Sequence, residues 1–97
     1  MNPLLQALKA KKADLMSLSA RYGAHDLRVF GSVARGEDDE NSDIDILVRF
    51  DDTATLLTHS ALIRELSQFL GRRVDVISDK GLRPRVKNRV LHEAVPL

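Results

Sequence analysis

The sequence predicts a small α/β (α+β) domain in which helices pack on a mixed β-sheet of about three strands. Apolar residues recur at helical spacing in three segments, and short segments rich in valine and isoleucine lie between them. Elements in this order bury their apolar faces most simply as helices layered on one sheet. Since 97 residues correspond to one domain, we expect residues 1–97 to form a single domain with one modest core.

The N-terminal segment predicts an amphipathic helix from about Pro3 to Arg21. Its leucines recur at helical spacing, and Asn2 precedes the proline as a helix cap would. Gly23 follows at a position typical of a helix end.

The middle of the chain predicts two strands joined by a short helix and a loop. Leu27 to Phe30 is a strand candidate that stops at Gly31, and Ser32 to Arg35 could open a short helix. Residues 37–42 contain no apolar residue and predict an exposed loop. Asp43 to Phe50 first alternates carboxylate and apolar residues and then becomes apolar, which predicts a strand with charge near its start.

The C-terminal half predicts a helix, a strand and a second helix. Leu56 to Leu70 carries apolar residues at helical spacing and is followed by Gly71, so it predicts a second amphipathic helix. Arg73 to Ser78 predicts a third strand. Leu82 to Ala94 predicts a last helix, with Pro84 near its first turn.

Three carboxylates on the predicted strands are candidates for metal-dependent chemistry. Asp43 and Asp45 share one face of a strand, because side chains alternate between faces. Their mutual repulsion favours a neutralising cation, and Mg²⁺ is the oxygen-liganded cation that accompanies triphosphates. Asp75, between two valines on the third strand, would join them if the strands are neighbours. Such a group of three could hold two metal ions during displacement at phosphorus, although a solvated strand edge would show the same pattern.

A glycine and a serine follow the first predicted strand. Gly31 would let the backbone approach a phosphate without a Cβ in the way, and Ser32 adds a hydroxyl donor at a helix start. The alternative is an ordinary turn from strand to helix with Ser32 as its cap. The turn is not a P-loop, because the sequence contains no Gly-x-x-x-x-Gly-Lys-Ser/Thr.

Together these segments resemble the signature of a known superfamily. Gly-Ser-Val-Ala-Arg-Gly at 31–36, followed by Ser-Asp-Ile-Asp at 42–45, resembles the polymerase-beta-like nucleotidyltransferases and in particular their minimal nucleotidyltransferase branch. The resemblance extends to the leading helix, the strand at 72–77 and the closing basic helix, and thus covers nearly the whole chain.

The resemblance implies roles for seven residues. The residues expected to contact the nucleotide and its phosphates are Gly31, Ser32, Arg35 and Ser42. The residues expected to bind Mg²⁺, as two ions, and to act in catalysis are Asp43, Asp45 and Asp75. Asp75 would share a metal or accept the proton of the attacking hydroxyl, and Arg35 would either contact phosphate or tie down the acidic loop.

The resemblance also implies a reaction and a partner. Members of this branch resemble antitoxins encoded beside a HEPN-domain ribonuclease toxin. The expected reaction moves AMP from ATP to a tyrosine hydroxyl of that toxin and silences it. Two alternatives stay open: an antitoxin that neutralises by binding alone, and a nucleotidyltransferase that acts on a small molecule or an RNA end.

Charge and composition narrow the remaining function classes. Net charge is +1 and only 4% of residues are aromatic, so we expect no direct nucleic-acid binding. The sequence has no cysteine and no apolar run of the roughly 20 residues that span a membrane. We therefore expect no membrane partner and a cytoplasmic location. The scattered His25, His59 and His92 lack metal-ligand spacing and are expected at the surface or at helix ends.

Two stretches carry charge of one sign. Residues 37–45 are acidic and form either a docking surface for a basic partner or a solvated loop. Residues 80–89 hold five basic residues, which would contact the triphosphate or a partner, or else form a solvated helix face.

Overall fold

The computed structural model of the chain describes residues 3–97. The elements in chain order are α1 (Pro3–Ala10), α2 (Lys12–Ala20), β1 (Ala24–Phe30), α3 (Gly31–Arg35), β2 (Ile44–Phe50), α4 (Leu56–Leu70), β3 (Val74–Ser78), a 3₁₀ turn (Asp79–Gly81), α5 (Pro84–Glu93) and β4 (Val95–Pro96).

The strands form one mixed sheet in the order β3-β2-β1-β4. β1 is antiparallel to both β2 and β4, whereas β2 and β3 run parallel. The predicted α/β class with a mixed sheet is confirmed, but the sheet has four strands and not about three. The additional strand β4 is two residues long and contains a proline, and so short a segment shows no periodicity in the sequence.

The predicted single helix from Pro3 to Arg21 is wrong, because the chain bends at Lys11 and forms two helices. Lys11 has φ −99° and ψ 14°, outside helical geometry. Neither proline nor glycine causes the bend. α1 packs on α3 whereas α2 packs on β1 and α4, so the bend lets each helix follow its own neighbours. The predicted cap Asn2 lies outside the described residues.

The main core lies between one face of the sheet and the helices α1, α2 and α4. From the sheet it takes alternate residues, of which Val29, Ile44 and Ile46 are fully buried. From α4 it takes Leu62 and Leu66, which are also fully buried. α4 has the predicted bounds, and Thr55 caps its first turn through a reciprocal hydrogen bond with residue 58.

Two histidines expected only at the surface or at helix ends are half-buried and make specific contacts. His25 Nε2 lies 2.8 Å from Asp51 Oδ2, and hydrogen bonds from Thr53 and then His25 lower the pKa of Asp51 to about 2. The His59 ring packs against Phe50 at a tilted angle with the ring centres 4.9 Å apart, and its Nε2 lies 2.7 Å from the Val76 carbonyl oxygen. Both contacts fix the end of β2 that lies away from the carboxylates.

Within residues 3–97, no helix has the length and apolar character needed to cross a bilayer.

Candidate active site

One edge of the sheet gathers the predicted site residues. β1 ends where β2 begins because the two strands are antiparallel, and β3 begins beside β2 because those two are parallel. The end of β1 is followed at once by α3. The glycine–serine turn and the starts of the two carboxylate-bearing strands therefore lie at one edge.

Asp45 and Asp75 occupy paired positions on neighbouring parallel strands. Paired residues point to the same face of a sheet, so both carboxylates lie on the face opposite the main core. The residues on either side of Asp45 are fully buried, and those on either side of Asp75 are buried. Asp75 itself is exposed and Asp45 is half-buried. The register thus brings two of the three predicted carboxylates side by side, within reach of solvent.

The pKa of Asp45 is affected by burial and by the negative charges of its neighbours at this edge. Burial raises the pKa of Asp45 above its usual value, and the charges of Asp75 and then Asp43 raise it further. Arg35 acts in the opposite direction. The charges of the other two predicted carboxylates therefore act on Asp45, which is the situation that a bound cation relieves.

Asp43 stands just before β2 and is paired with an arginine. Arg73 Nε lies 3.1 Å from Asp43 Oδ1 and its Nη2 lies 3.4 Å from Oδ2. The arginine side chain is 85% exposed, and so exposed a pair contributes only about 0–1 kcal/mol. A cation could therefore replace Arg73 as the partner of Asp43 at little cost.

No three acidic, histidine or cysteine side chains in the described part of the chain already converge as a metal site. The donor chemistry nevertheless fits Mg²⁺, since Asp45 and Asp75 offer carboxylate oxygens at paired positions on neighbouring strands. Asp43 would complete the set by turning from Arg73.

Gly31 lies against the carboxylate of Asp45. Its φ is +73°, and a Cβ at this position would collide with Asp45 Oδ2 and approach Cγ to 3.2 Å. Any side chain here would therefore displace the carboxylate. Two residues on, Val33 is fully buried and anchors α3 in the core, so the turn is held firmly beside Asp45.

The two predicted serines have different surroundings. Ser32 follows Gly31 directly and is half-buried at the start of α3. Ser42 lies in the acidic loop, where its hydroxyl accepts a hydrogen bond from the Asp39 N–H at 2.9 Å and donates one to Asp39 Oδ1 at 3.2 Å. The structure thus brings Ser32 to the glycine turn, whereas the hydroxyl of Ser42 is engaged within its own loop.

Arg35 ends α3 and binds two glutamates. Its Nε donates to Glu37 Oε2 at 2.8 Å, and its Nη1 donates to Glu93 Oε1 at 2.6 Å. The hydrogen bonds to Glu37 and then to Glu93 raise the pKa of the guanidinium. The contact with Glu37 ties Arg35 to the start of the acidic loop, as one of the two expectations for this residue stated.

Sequence reasoning missed three residues that organise this edge. Arg72 Nη2 donates to the carbonyl oxygens of Asp39 and Ser42 at 2.8 and 2.7 Å, and so holds the acidic loop against β3. Arg73 and Glu93 are the other two. The adjacent arginines before the third strand were the available signal, but nothing in the sequence pairs Glu93 with a residue 58 positions earlier.

An open cleft of about 750 Å³ lies between α3 and α5. It is lined by Arg35, Asn88, Arg89, His92 and Glu93. The basic stretch at 80–89 therefore borders this cleft through Asn88 and Arg89, while most of its side chains are exposed.

Known proteins resemble the chain in sequence and in fold. The family described as "Nucleotidyltransferase domain" matches residues 15–97. Protein adenylyltransferase MntA of Thermococcus cleftensis is 41% identical over 78 residues, which cover 80% of this chain and 79% of that protein. A solved structure assigned as a minimal nucleotidyltransferase is 52% identical with a TM-score of 0.85, covering 96% of this chain and 95% of that one.

A more distant solved structure shares the fold. It is described as a tri-AMPylated HEPN toxin of Shewanella oneidensis in complex with an MNT antitoxin. The likeness has a TM-score of 0.66 at 19% identity and covers 91% of this chain and 69% of that chain.

Proposed function

The chain belongs to the nucleotidyltransferase domain family, and we propose that it is an antitoxin that transfers AMP from ATP to a tyrosine hydroxyl of a HEPN-domain toxin. The transfer silences the toxin. One observation carries the proposal: Asp45 is paired in register with Asp75 and packed against Gly31 at the same sheet edge. That arrangement brings candidate ligands for a metal and for a phosphate together.

Each residue at this edge has a part in the proposed reaction. The backbone at Gly31 and the hydroxyl of Ser32 bind the phosphates of ATP, because no side chain at Gly31 obstructs their approach to Asp45. Asp43 and Asp45 bind Mg²⁺ together with Asp75. When bound there, Mg²⁺ would neutralise the charge of the phosphates during in-line displacement.

A carboxylate of the chain also accepts the proton that the attacking hydroxyl loses. The tyrosine oxygen forms a bond to the α-phosphorus of ATP while the bond from that phosphorus to pyrophosphate breaks. Asp75 is the most exposed of the three residues, so it accepts the proton of the tyrosine hydroxyl as that oxygen attacks. AMP–tyrosine and pyrophosphate are the products.

The acceptor arrives with a partner protein. The carboxylate edge is open, with Asp75 exposed and Asp43 41% exposed, and the described residues place no lid over it. A protein surface that covers this edge would bring its tyrosine to the nucleotide and exclude water. The Thermococcus cleftensis relative, named a protein adenylyltransferase, and the HEPN–antitoxin complex that shares the fold support this choice of donor and acceptor.

Transfer of label from [α-³²P]ATP to a purified HEPN partner tests the proposal. We expect Mg²⁺-dependent labelling of the partner, reduced by about 10²–10⁴-fold in the double variant Asp43→Ala/Asp45→Ala. The matched control is Asp14→Ala/Asp52→Ala, which removes the same charge from exposed positions and should label normally.

The same double variant separates catalysis from binding. Undiminished labelling by Asp43→Ala/Asp45→Ala would refute the assigned chemistry. Full neutralisation of the toxin in cells by that variant would show that binding alone suffices. Labelling of a small molecule or an RNA end without any protein partner would replace the proposed acceptor.

A further inference from the structure

An ion pair connects α3 to the last turn of α5. Arg35 Nη1 donates to Glu93 Oε1 at 2.6 Å across 58 positions. The Glu93 side chain is only 20% exposed, whereas Glu37, the other partner of Arg35, is 65% exposed. The two glutamates therefore offer Arg35 one sheltered contact and one that faces solvent.

Backbone hydrogen bonds hold the segment that carries Glu93. It is the last residue of α5, and the next residue is capped by a hydrogen bond from Ala94 N to Val90 O at 2.8 Å. β4 then pairs with β1 at Arg28 and Val29. The final residue continues this pairing, because Leu97 N donates to Leu27 O at 3.0 Å. The backbone that carries Glu93 is thus tied to β1.

Arg35 stands at the opposite end of α3 from the glycine turn. The helix has five residues, Gly31–Arg35, and is therefore about 7.5 Å long. In a helix this short, a shift of one end moves the other. Gly31 leaves no room for a Cβ beside the carboxylate of Asp45, so a displacement of Arg35 would also shift the turn that borders this carboxylate.

Glu37 lies in a loop and not at the end of a helix next to a paired strand. It follows Gly36 at the start of the acidic loop, and its side chain faces solvent. An exposed pair of this kind holds its partner weakly. Glu93 is therefore the glutamate that determines where the guanidinium lies.

We propose that Glu93 is a positioning residue that acts through Arg35, holding the Gly31–Ser32 turn and Asp45 in the arrangement that binds and orients the nucleotide. The inference rests on the proposed function, since it concerns the same site. Arg35 accordingly serves to fix α3, and phosphate contact is not its main role.

Two matched variants test this role in the full chain. Glu93→Gln should lower both the affinity for a non-hydrolysable ATP analogue with Mg²⁺, measured by calorimetry, and kcat of AMP transfer, each by about 10-fold or more, as supporting residues of a site typically do. Glu37→Gln removes the other partner of Arg35 and should stay within about twofold in both measurements.

A double-variant cycle distinguishes positioning from general stability. In an Arg35→Gln background, Glu93→Gln should have no further effect on kcat or analogue affinity, because coupled residues are non-additive. Equal effects of Glu93→Gln and Glu37→Gln, or additive effects of Glu93→Gln in both backgrounds, would overturn the positioning role while the parent chain still transfers AMP. A parent chain that neither binds the analogue nor transfers AMP would instead refute the proposed function, and the positioning role with it.

Discussion

At the scale of single residues, two glycines have the same backbone conformation but different surroundings. Comparing substitutions at both distinguishes the cost of backbone strain from an effect on the reaction. Gly31 and Gly36 both have φ +73°. A Cβ at Gly31 would collide with the carboxylate of Asp45, whereas a Cβ at Gly36 would meet nothing within 4 Å. The same substitution therefore carries the same backbone penalty at both positions, but it displaces a site residue at only one.

We expect Gly36→Ala to lower the free energy of unfolding by about 1–2 kcal/mol, the cost of left-handed backbone for alanine, and to leave AMP transfer within about twofold. Gly31→Ala should lose at least as much stability and, in addition, about 100-fold or more of transfer activity, because Asp45 is moved. Denaturant unfolding and the labelling assay measure the two effects. Equal activity of the two variants would show that the contact between Gly31 and Asp45 has no part in the reaction.

The raised pKa of Asp45 predicts how the stability of the metal-free protein depends on pH. Its pKa is raised from 3.8 by burial and by the charges of Asp75 and Asp43, so the folded state binds its proton more tightly than the unfolded state. The contribution of this group to stability is therefore lost as pH rises from about 3.8 through the folded pKa, and it does not return at higher pH.

Asp45→Asn removes this titration. Without Mg²⁺, the variant should gain stability relative to the parent chain as pH rises from 4 to 7, and Mg²⁺ with an ATP analogue should stabilise only the parent. Thermal unfolding across pH measures both, with the exposed Asp52→Asn as the control. A difference in stability between Asp45→Asn and the parent chain that does not change with pH would contradict the raised pKa assigned to Asp45.

At the scale of elements, the sequence predicts those parts whose signals are local. α4 has the predicted bounds, because a capping threonine, helical spacing of leucines and a closing Gly71 all lie within the segment itself. β2 and β3 differ from prediction by only one residue at their starts, since their alternation with carboxylates is also local.

The parts that depend on distant packing could not be predicted from local pattern. The bend at Lys11 separates α1 from α2 because the two helices meet different neighbours. β1 begins three residues before the predicted Leu27, and the added residues include Asp26, a non-glycine residue with φ 55° at an irregularity in the pairing with β2. β4 is defined only by its pairing with β1.

In the candidate site, too, local patterns predict some features, whereas others depend on long-range packing. The sequence predicts Gly31 from the turn after a strand, and it predicts Asp43, Asp45 and Asp75 from the alternation of side chains on strands. The pairing of Asp45 with Asp75 depends on strand order and register, which no local pattern specifies. The engagement of Ser42 within its loop and the contact of Arg35 with Glu93 are likewise long-range or loop-specific features.

At the scale of the whole molecule, the fold builds a site that is open on one side. The main core fills one face of the sheet, and the carboxylates lie on the other face at the edge where β1 ends and β2 and β3 begin. α5 and β4 support this edge through Glu93 and the pairing with β1. Such an open edge leaves room for the acceptor that we propose a partner protein supplies.

The central claim is that three carboxylates from two separate strands act at one site, and Asp75 tests it most directly because it comes from the second strand. The measurement is the single-turnover rate of AMP transfer from ATP to the HEPN partner by Asp75→Asn, with Asp52→Asn as the matched control. The account predicts a fall of about 100-fold or more for Asp75→Asn and an unchanged rate for the control. A rate for Asp75→Asn equal to that of the parent chain would contradict the claim.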